Sequence, residues 1–119
     1  MYSPQLLDHF EQPRNTGTLE NATAVVQVEN PVCGDVLKLS ARLVDGRIAE
    51  IRFQAKGCVP AMACGSAVTE LLAGRTTSEA KLVGKDDLTQ ALGGLPEASA
   101  HAAHLAIDAV AALLKNYRG

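Results

Sequence analysis

The sequence predicts an α+β domain: a three-stranded antiparallel sheet (a meander) packed against helices, with one N-terminal helix and a C-terminal helical half. Three observations carry this prediction. Residues 37–44 (LKLSARLV) and 48–55 (IAEIRFQA) alternate apolar and polar side chains on either side of Asp45-Gly46, a pair suited to the type I′ turn of a tight hairpin. A β-branched run, AVVQVE, at Ala24–Glu29 supplies another strand. From Pro60 onward the apolar period changes from two residues to a helical one, which places the remaining elements over the sheet as helices.

Taken in order, Ser3-Pro4 reads as an N-cap followed by proline at the first helical position. Leu6, Leu7 and Phe10 form the apolar stripe of that first helix, and Pro13 stops it. The segment RNTGTLEN is rich in turn formers. After strand Ala24–Glu29 comes the break NPVCGD, then the hairpin. Its first strand puts Leu37, Leu39, Ala41 and Leu43 on one face, and its second puts Ala49, Ile51, Phe53 and Ala55 there, so the other face is expected to be solvated. In the helix from Pro60, Cys64, Ala67, Val68, Leu71 and Leu72 recur at helical spacing, with Gly74 as the stop. Thr77 or Ser78 can cap a short helix over EAKLV, and DDLTQAL suggests another. An alanine-rich helix runs from about Pro96 to Tyr117.

Composition narrows the function classes. The 119 residues are 47% hydrophobic and 20% charged, with a net charge of −2 and no tryptophan, as in an ordinary soluble domain. That charge gives no footprint for nucleic acid. No apolar window is long enough to span a bilayer, and the N-terminus lacks the basic start and apolar run of a signal peptide. Three cysteines are too few for a disulfide framework and favour a reducing, cytoplasmic setting with free or metal-bound thiols.

The chemistry-bearing residues are few. Cys33 sits in a turn at the mouth of a strand, and Asp35 follows two residues later, on the same side of an extended backbone. A thiolate and a carboxylate so placed make half a metal site; equally, Asp35 is a turn former and Cys33 a small filler. Cys58 lies just before the helix at Pro60, where the positive end of the macrodipole is expected to lower its pKa; a buried apolar thiol is the other reading. Cys64 falls on the apolar stripe of its helix and reads as a core residue. His101 and His104, at i and i+3, can face one ligand or serve as capping or half-buried residues. His9, among acidic neighbours, reads as solvated. No nucleophile, base and orienting group assemble as in a hydrolase.

These motifs resemble the IscU/NifU-type iron–sulfur cluster assembly scaffolds over nearly the whole chain, as a single NifU-like N-terminal-type domain spanning 1–119. Gln12–Gly17 (QPRNTG) is similar to the family's NPRN-x-G turn. NPVCGD (Asn30–Asp35) and KGC (Lys56–Cys58) are similar to its first two ligand motifs. AMACGSAVTELLAG (Ala61–Gly74) is similar to its small-residue helix. The resemblance implies metal or cluster ligation by Cys33, Asp35, Cys58 and His101. A His-Cys pair is expected on the last helix; here it reads His101-Ala102, so the third ligand cysteine is missing, and Cys64 stands where relatives often carry serine.

The four remaining donors match the terminal ligand count of a 2Fe–2S cluster, held transiently as cargo, and equally that of a tetrahedral zinc site. The implied function is a scaffold that accepts iron and sulfide and passes a cluster to apo-proteins, a carrier rather than an enzyme. The alternative is a zinc-bound, SufU-like sulfur acceptor or regulator of a cysteine desulfurase that builds no cluster. Cys58 and Cys33 are the candidate sulfur acceptors. The implied partners are a cysteine desulfurase and apo iron–sulfur proteins. LPEAS (Leu95–Ser99) replaces the Leu-Pro-Pro-Val-Lys segment by which some members reach an Hsp70-type chaperone, so the resemblance does not carry that partner over.

Overall fold

The computed structural model describes residues 2–30 and 34–116; Cys33 and Tyr117 lie outside the described residues. Helix α1 (Pro4–Glu11) is followed by strands β1 (Ala24–Glu29), β2 (Val36–Val44) and β3 (Arg47–Lys56). Helices α2 (Val59–Leu72), α3 (Thr77–Ala80), α4 (Lys85–Ala91) and α5 (Ala100–Asn116) complete the chain, with a 3₁₀ turn, Glu97–Ser99, before α5. The sheet is antiparallel in the order β1-β2-β3, the expected meander. Asp45 and Gly46 have φ of 53° and 75°, as a type I′ turn requires. Residues 15–17 bond to the free edge of β3: the Phe53 N–H donates to the Asn15 carbonyl and the Gly17 N–H to the Phe53 carbonyl.

One sheet face carries the core. Leu37, Leu39, Ala41 and Leu43 are buried there as the alternation predicts, with Val26 and Phe53. Leu39 and Ile51, at 0% and 1% exposure, each contribute about 1.5–3 kcal/mol through burial. The expectation for Ala49 is corrected: Ile48 is buried and Ala49 exposed. The register slips between Arg42 and Leu43, so that Arg42 faces Glu50 while Leu43 faces Ile48. Ala49 is the extra residue of a β-bulge, and strict alternation fails across it. The other face is not wholly solvated, because Ser40 is buried and its Oγ accepts the Leu19 N–H at 3.2 Å.

Helix α2 packs on β3, α1 and α5, and α5 packs across β1 and β2. The stripe expected on α2 widens to nearly its whole surface, since Ala61 and every residue from Ala63 to Thr69 are buried. A helix apolar all round belongs in the interior. Gly65 makes that approach possible: a Cβ there would lie 2.6 Å from the Phe53 ring.

Two further expectations change. On α1 the buried residues are Leu6 and His9, while Leu7 is exposed, because α2 meets the i, i+3 face of α1. The cap of α3 is Thr76 rather than Thr77 or Ser78. Thr76 Oγ1 accepts the Glu79 N–H, and the Glu79 carboxylate accepts the Thr76 N–H, a capping box.

Candidate metal centre

Three segments converge where the sheet meets α2 and α5. The first is the turn before β2, closed by the Asn30 N–H donating to the Asp35 carbonyl and the Gly34 N–H to the Asn30 carbonyl. The second is the junction between β3 and α2, where Cys58 is the N-cap residue with extended backbone (φ −76°, ψ 166°) and no side-chain capping bond. The third is the first turn of α5, which carries His101.

Asp35 is 3% exposed, and a carboxylate so buried requires partners. Its Oδ1 accepts the Cys58 N–H at 3.3 Å, and its Oδ2 lies 3.4 Å from Cys58 Sγ and 3.5 Å from His101 Nε2. Sγ and Nε2 are 3.9 Å apart. One oxygen, one sulfur and one nitrogen thus lie within 4.8 Å of one another, and together they could hold a metal ion. Cys33 lies outside the described residues, two positions before Asp35.

Gly57 makes the convergence possible. Its φ of +145° suits glycine, and a Cβ there would overlap Asp35 Oδ1. In the sequence alone, Gly57 stands within KGC with no role of its own. The signal was present: a glycine at a strand end marks close backbone approach.

The expected lowering of the Cys58 pKa is corrected. Burial pushes the thiol above its ordinary value, and the adjacent Asp35 carboxylate adds to this, against the opposing hydrogen bond from the Ala61 N–H. Desolvation and a like charge outweigh the helix terminus here. Cys64, 1% exposed, is a core residue as expected, its thiol pushed up to about 12 chiefly by burial. Among the described residues, Cys58 and Cys64 are both free.

His104 does not share a ligand with His101. It is exposed and meets Lys85 Nζ at 3.0 Å through Nε2. Ala102, 1% exposed, is part of the core. His9 is 7% exposed rather than solvated: Nδ1 lies 2.8 Å from Ser66 Oγ, and Nε2 lies 3.4 Å from Glu70.

Fold and site together define a small α+β protein that gathers soft and hard metal donors at one end of a three-stranded sheet. The chain belongs to the family described as the NifU-like N terminal domain, which matches residues 1–119. It is 43% identical over 117 residues to iron–sulfur cluster assembly scaffold protein IscU 1 of Archaeoglobus fulgidus, covering 98% of this chain and 76% of that protein. It is 38% identical over 121 residues to the iron–sulfur cluster assembly scaffold protein IscU of Escherichia coli, covering 98% and 94%. Among solved structures, the N-terminal NifU-like protein of Brucella abortus superposes with a TM-score of 0.81 at 17% identity, over 96% of this chain and 92% of that one. This last likeness shows the fold alone. No helix among the described residues is long and apolar enough to cross a membrane.

Proposed function

We propose that this protein is an iron–sulfur cluster assembly scaffold, a carrier that binds iron and sulfide as cargo and passes a cluster to apo-proteins. The observation that carries the reading is the convergence of Asp35, Cys58 and His101 within 4.8 Å, in a chain so similar to proteins named as scaffolds. Cys33, Asp35, Cys58 and His101 are the proposed ligands, and a 2Fe–2S cluster the proposed cargo. Two thiolates with a carboxylate and an imidazole bind cluster iron less firmly than four thiolates, because hard oxygen suits soft cluster iron poorly. For a carrier that must release its load, this is the useful direction.

Sulfur arrives in this reading from a cysteine desulfurase. The Cys58 thiolate attacks the outer sulfur of the desulfurase's cysteine persulfide. The new S–S bond to Cys58 forms as the old one breaks, the desulfurase thiolate leaves, and there is no net oxidation. Since burial holds the Cys58 proton on, a base must take it as the persulfide approaches; the His101 imidazole and the Asp35 carboxylate both adjoin the sulfur. A reducing compartment, the cytoplasm, keeps that thiol available.

A second reading has one observation in its favour. The mixed donor set also suits a single tetrahedral zinc ion, which would make the protein a zinc-bound sulfur acceptor or a regulator of the desulfurase. Anaerobic reconstitution with ferrous iron, cysteine and a cysteine desulfurase separates the two. Visible charge-transfer absorption with iron and sulfide in equal amounts supports the scaffold. A colourless protein holding one tightly bound zinc supports the acceptor or regulator.

A further inference from the structure

A groove of about 330 Å³ runs along the C-terminal half of α5, away from the ligand cluster. Ile107, Val110, Ala111 and Leu114 form one wall, and Ala80 and Val83 lie opposite. The α5 residues recur at i, i+3, i+4 and i+7, the spacing of a helix-packing seam. Leu82, in the adjoining groove, is 81% exposed.

The rim gives the groove a sign. Lys81 and Lys115 line it, and no Asp or Glu does. Both lysines are exposed. Glu79 and Asp87, which accept capping N–H bonds and keep their charge, line the adjoining groove with Leu82 rather than this one. A second copy presenting the same groove would add two further lysines to its rim, so the rim itself favours an acidic occupant.

We propose that this groove docks an amphipathic helix of a partner protein, one with apolar side chains at helical spacing and carboxylates along its flank. The apolar side chains would fill the seam, and the carboxylates would meet Lys81 and Lys115. His101 precedes Ile107 by six positions on α5, about 9 Å along the axis. The groove therefore begins beyond the turn of α5 that carries His101. This interaction surface does not depend on which metal or cluster that end carries.

The test is fluorescence anisotropy on the full chain with a labelled synthetic helical peptide of about 14 residues, roughly 21 Å long. The peptide carries leucine at i, i+3, i+4 and i+7 and glutamate at the flanks; a control peptide has lysine for glutamate. The glutamate peptide is expected to bind at least about tenfold more tightly, and less tightly as salt rises. Ala111→Glu, on an exposed position, should weaken binding at least about tenfold with no change in the circular-dichroism melt. Lys81→Glu combined with Lys115→Glu, both on exposed side chains, should reverse the preference between the two peptides. Equal binding of the peptides, or no binding of either, overturns the proposal. So does a concentration-dependent dimer in sedimentation that Ala111→Glu splits, since a second copy would then be the occupant.

Discussion

His9 and His101 each lie beside a carboxylate and a partner on α2 or at its N-cap, and the comparison separates a structural polar cluster from a binding one. His9 faces Ser66 Oγ at 2.8 Å and Glu70 at 3.4 Å, with a side chain 9% exposed. Ser66 Oγ also accepts the Arg14 N–H at 2.9 Å, so this cluster ties α1 and the chain after it to α2. His101 has a side chain 33% exposed, and its neighbours stand off at 3.5 Å for Asp35 and 3.9 Å for Cys58. The 2.8 Å contact of His9 with Ser66 is a hydrogen bond already made, whereas its 3.4 Å contact with Glu70 is an ion-pair distance like that of His101 with Asp35. What sets the His101 cluster apart is a side chain open to solvent and the longer 3.9 Å contact between sulfur and nitrogen. Clusters of the first kind are felt in stability, and clusters of the second kind in ligand affinity.

The largest expected effect tests the second half of that contrast. Cys58→Ser should weaken zinc or ferrous iron binding by more than about 100-fold, since loss of a mere supporting residue typically costs 10–100-fold. The urea midpoint of the metal-free protein should barely move. A matched loss of stability, seen in the same melts, would place Cys58 in the structural class with His9. Gly57→Ala comes next. Its Cβ would collide with Asp35, and its φ of +145° suits glycine, so metal-free stability should fall by about 1–3 kcal/mol and metal affinity should fall with it. Cys64→Ser should cost about 1–3 kcal/mol through an ill-satisfied buried hydroxyl, leaving metal content intact. A large loss of bound metal would instead make Cys64 a ligand.

How far the sequence foretold this contrast depends on the kind of information each feature needed. The hairpin was legible because alternation and Asp45-Gly46 are local signals. The bulge at Ala49 was not, because it reflects how two strands accommodate each other. Burial all round α2 is not contained in the stripe of Cys64, Ala67, Val68, Leu71 and Leu72; the small residues Ala61, Ala63 and Gly65 carry it, by letting neighbours approach the other faces. Asp35, Cys58 and His101 were singled out by their motifs, but nothing in the spacing says that segments 23 and 43 residues apart meet. The direction of the Cys58 shift is hidden for the same reason: the helix terminus is visible in the sequence, whereas the burial of the thiol and the Asp35 carboxylate folded against it are not. His9 looked solvated because Asp8 and Glu11 flank it, yet it points at α2 and they do not.

The smallest effect sharpens the first half of the contrast through pH. Burial, reinforced by the Arg14 guanidinium, holds the His9 pKa below its ordinary value of 6.5, and the opposing pull of Glu70 and Asp8 does not offset this. The unfolded chain then takes up the proton at a higher pH than the folded one does. The contribution of His9 to stability therefore declines as pH falls below about 6.5, until the folded pKa is passed. His9→Gln removes that linkage while keeping a polar group near Ser66. Above about pH 7 the native protein should exceed the variant by roughly 0.5–1.5 kcal/mol, the worth of a hydrogen bond. The gap, read from urea melts across the range, should narrow on acidification. A gap that widens instead would mean that His9 is charged in the folded state, with Glu70 rather than Ser66 as its governing partner. The α1–α2 contact would then be an ion pair with some access to solvent, and the line drawn between the two histidines would blur.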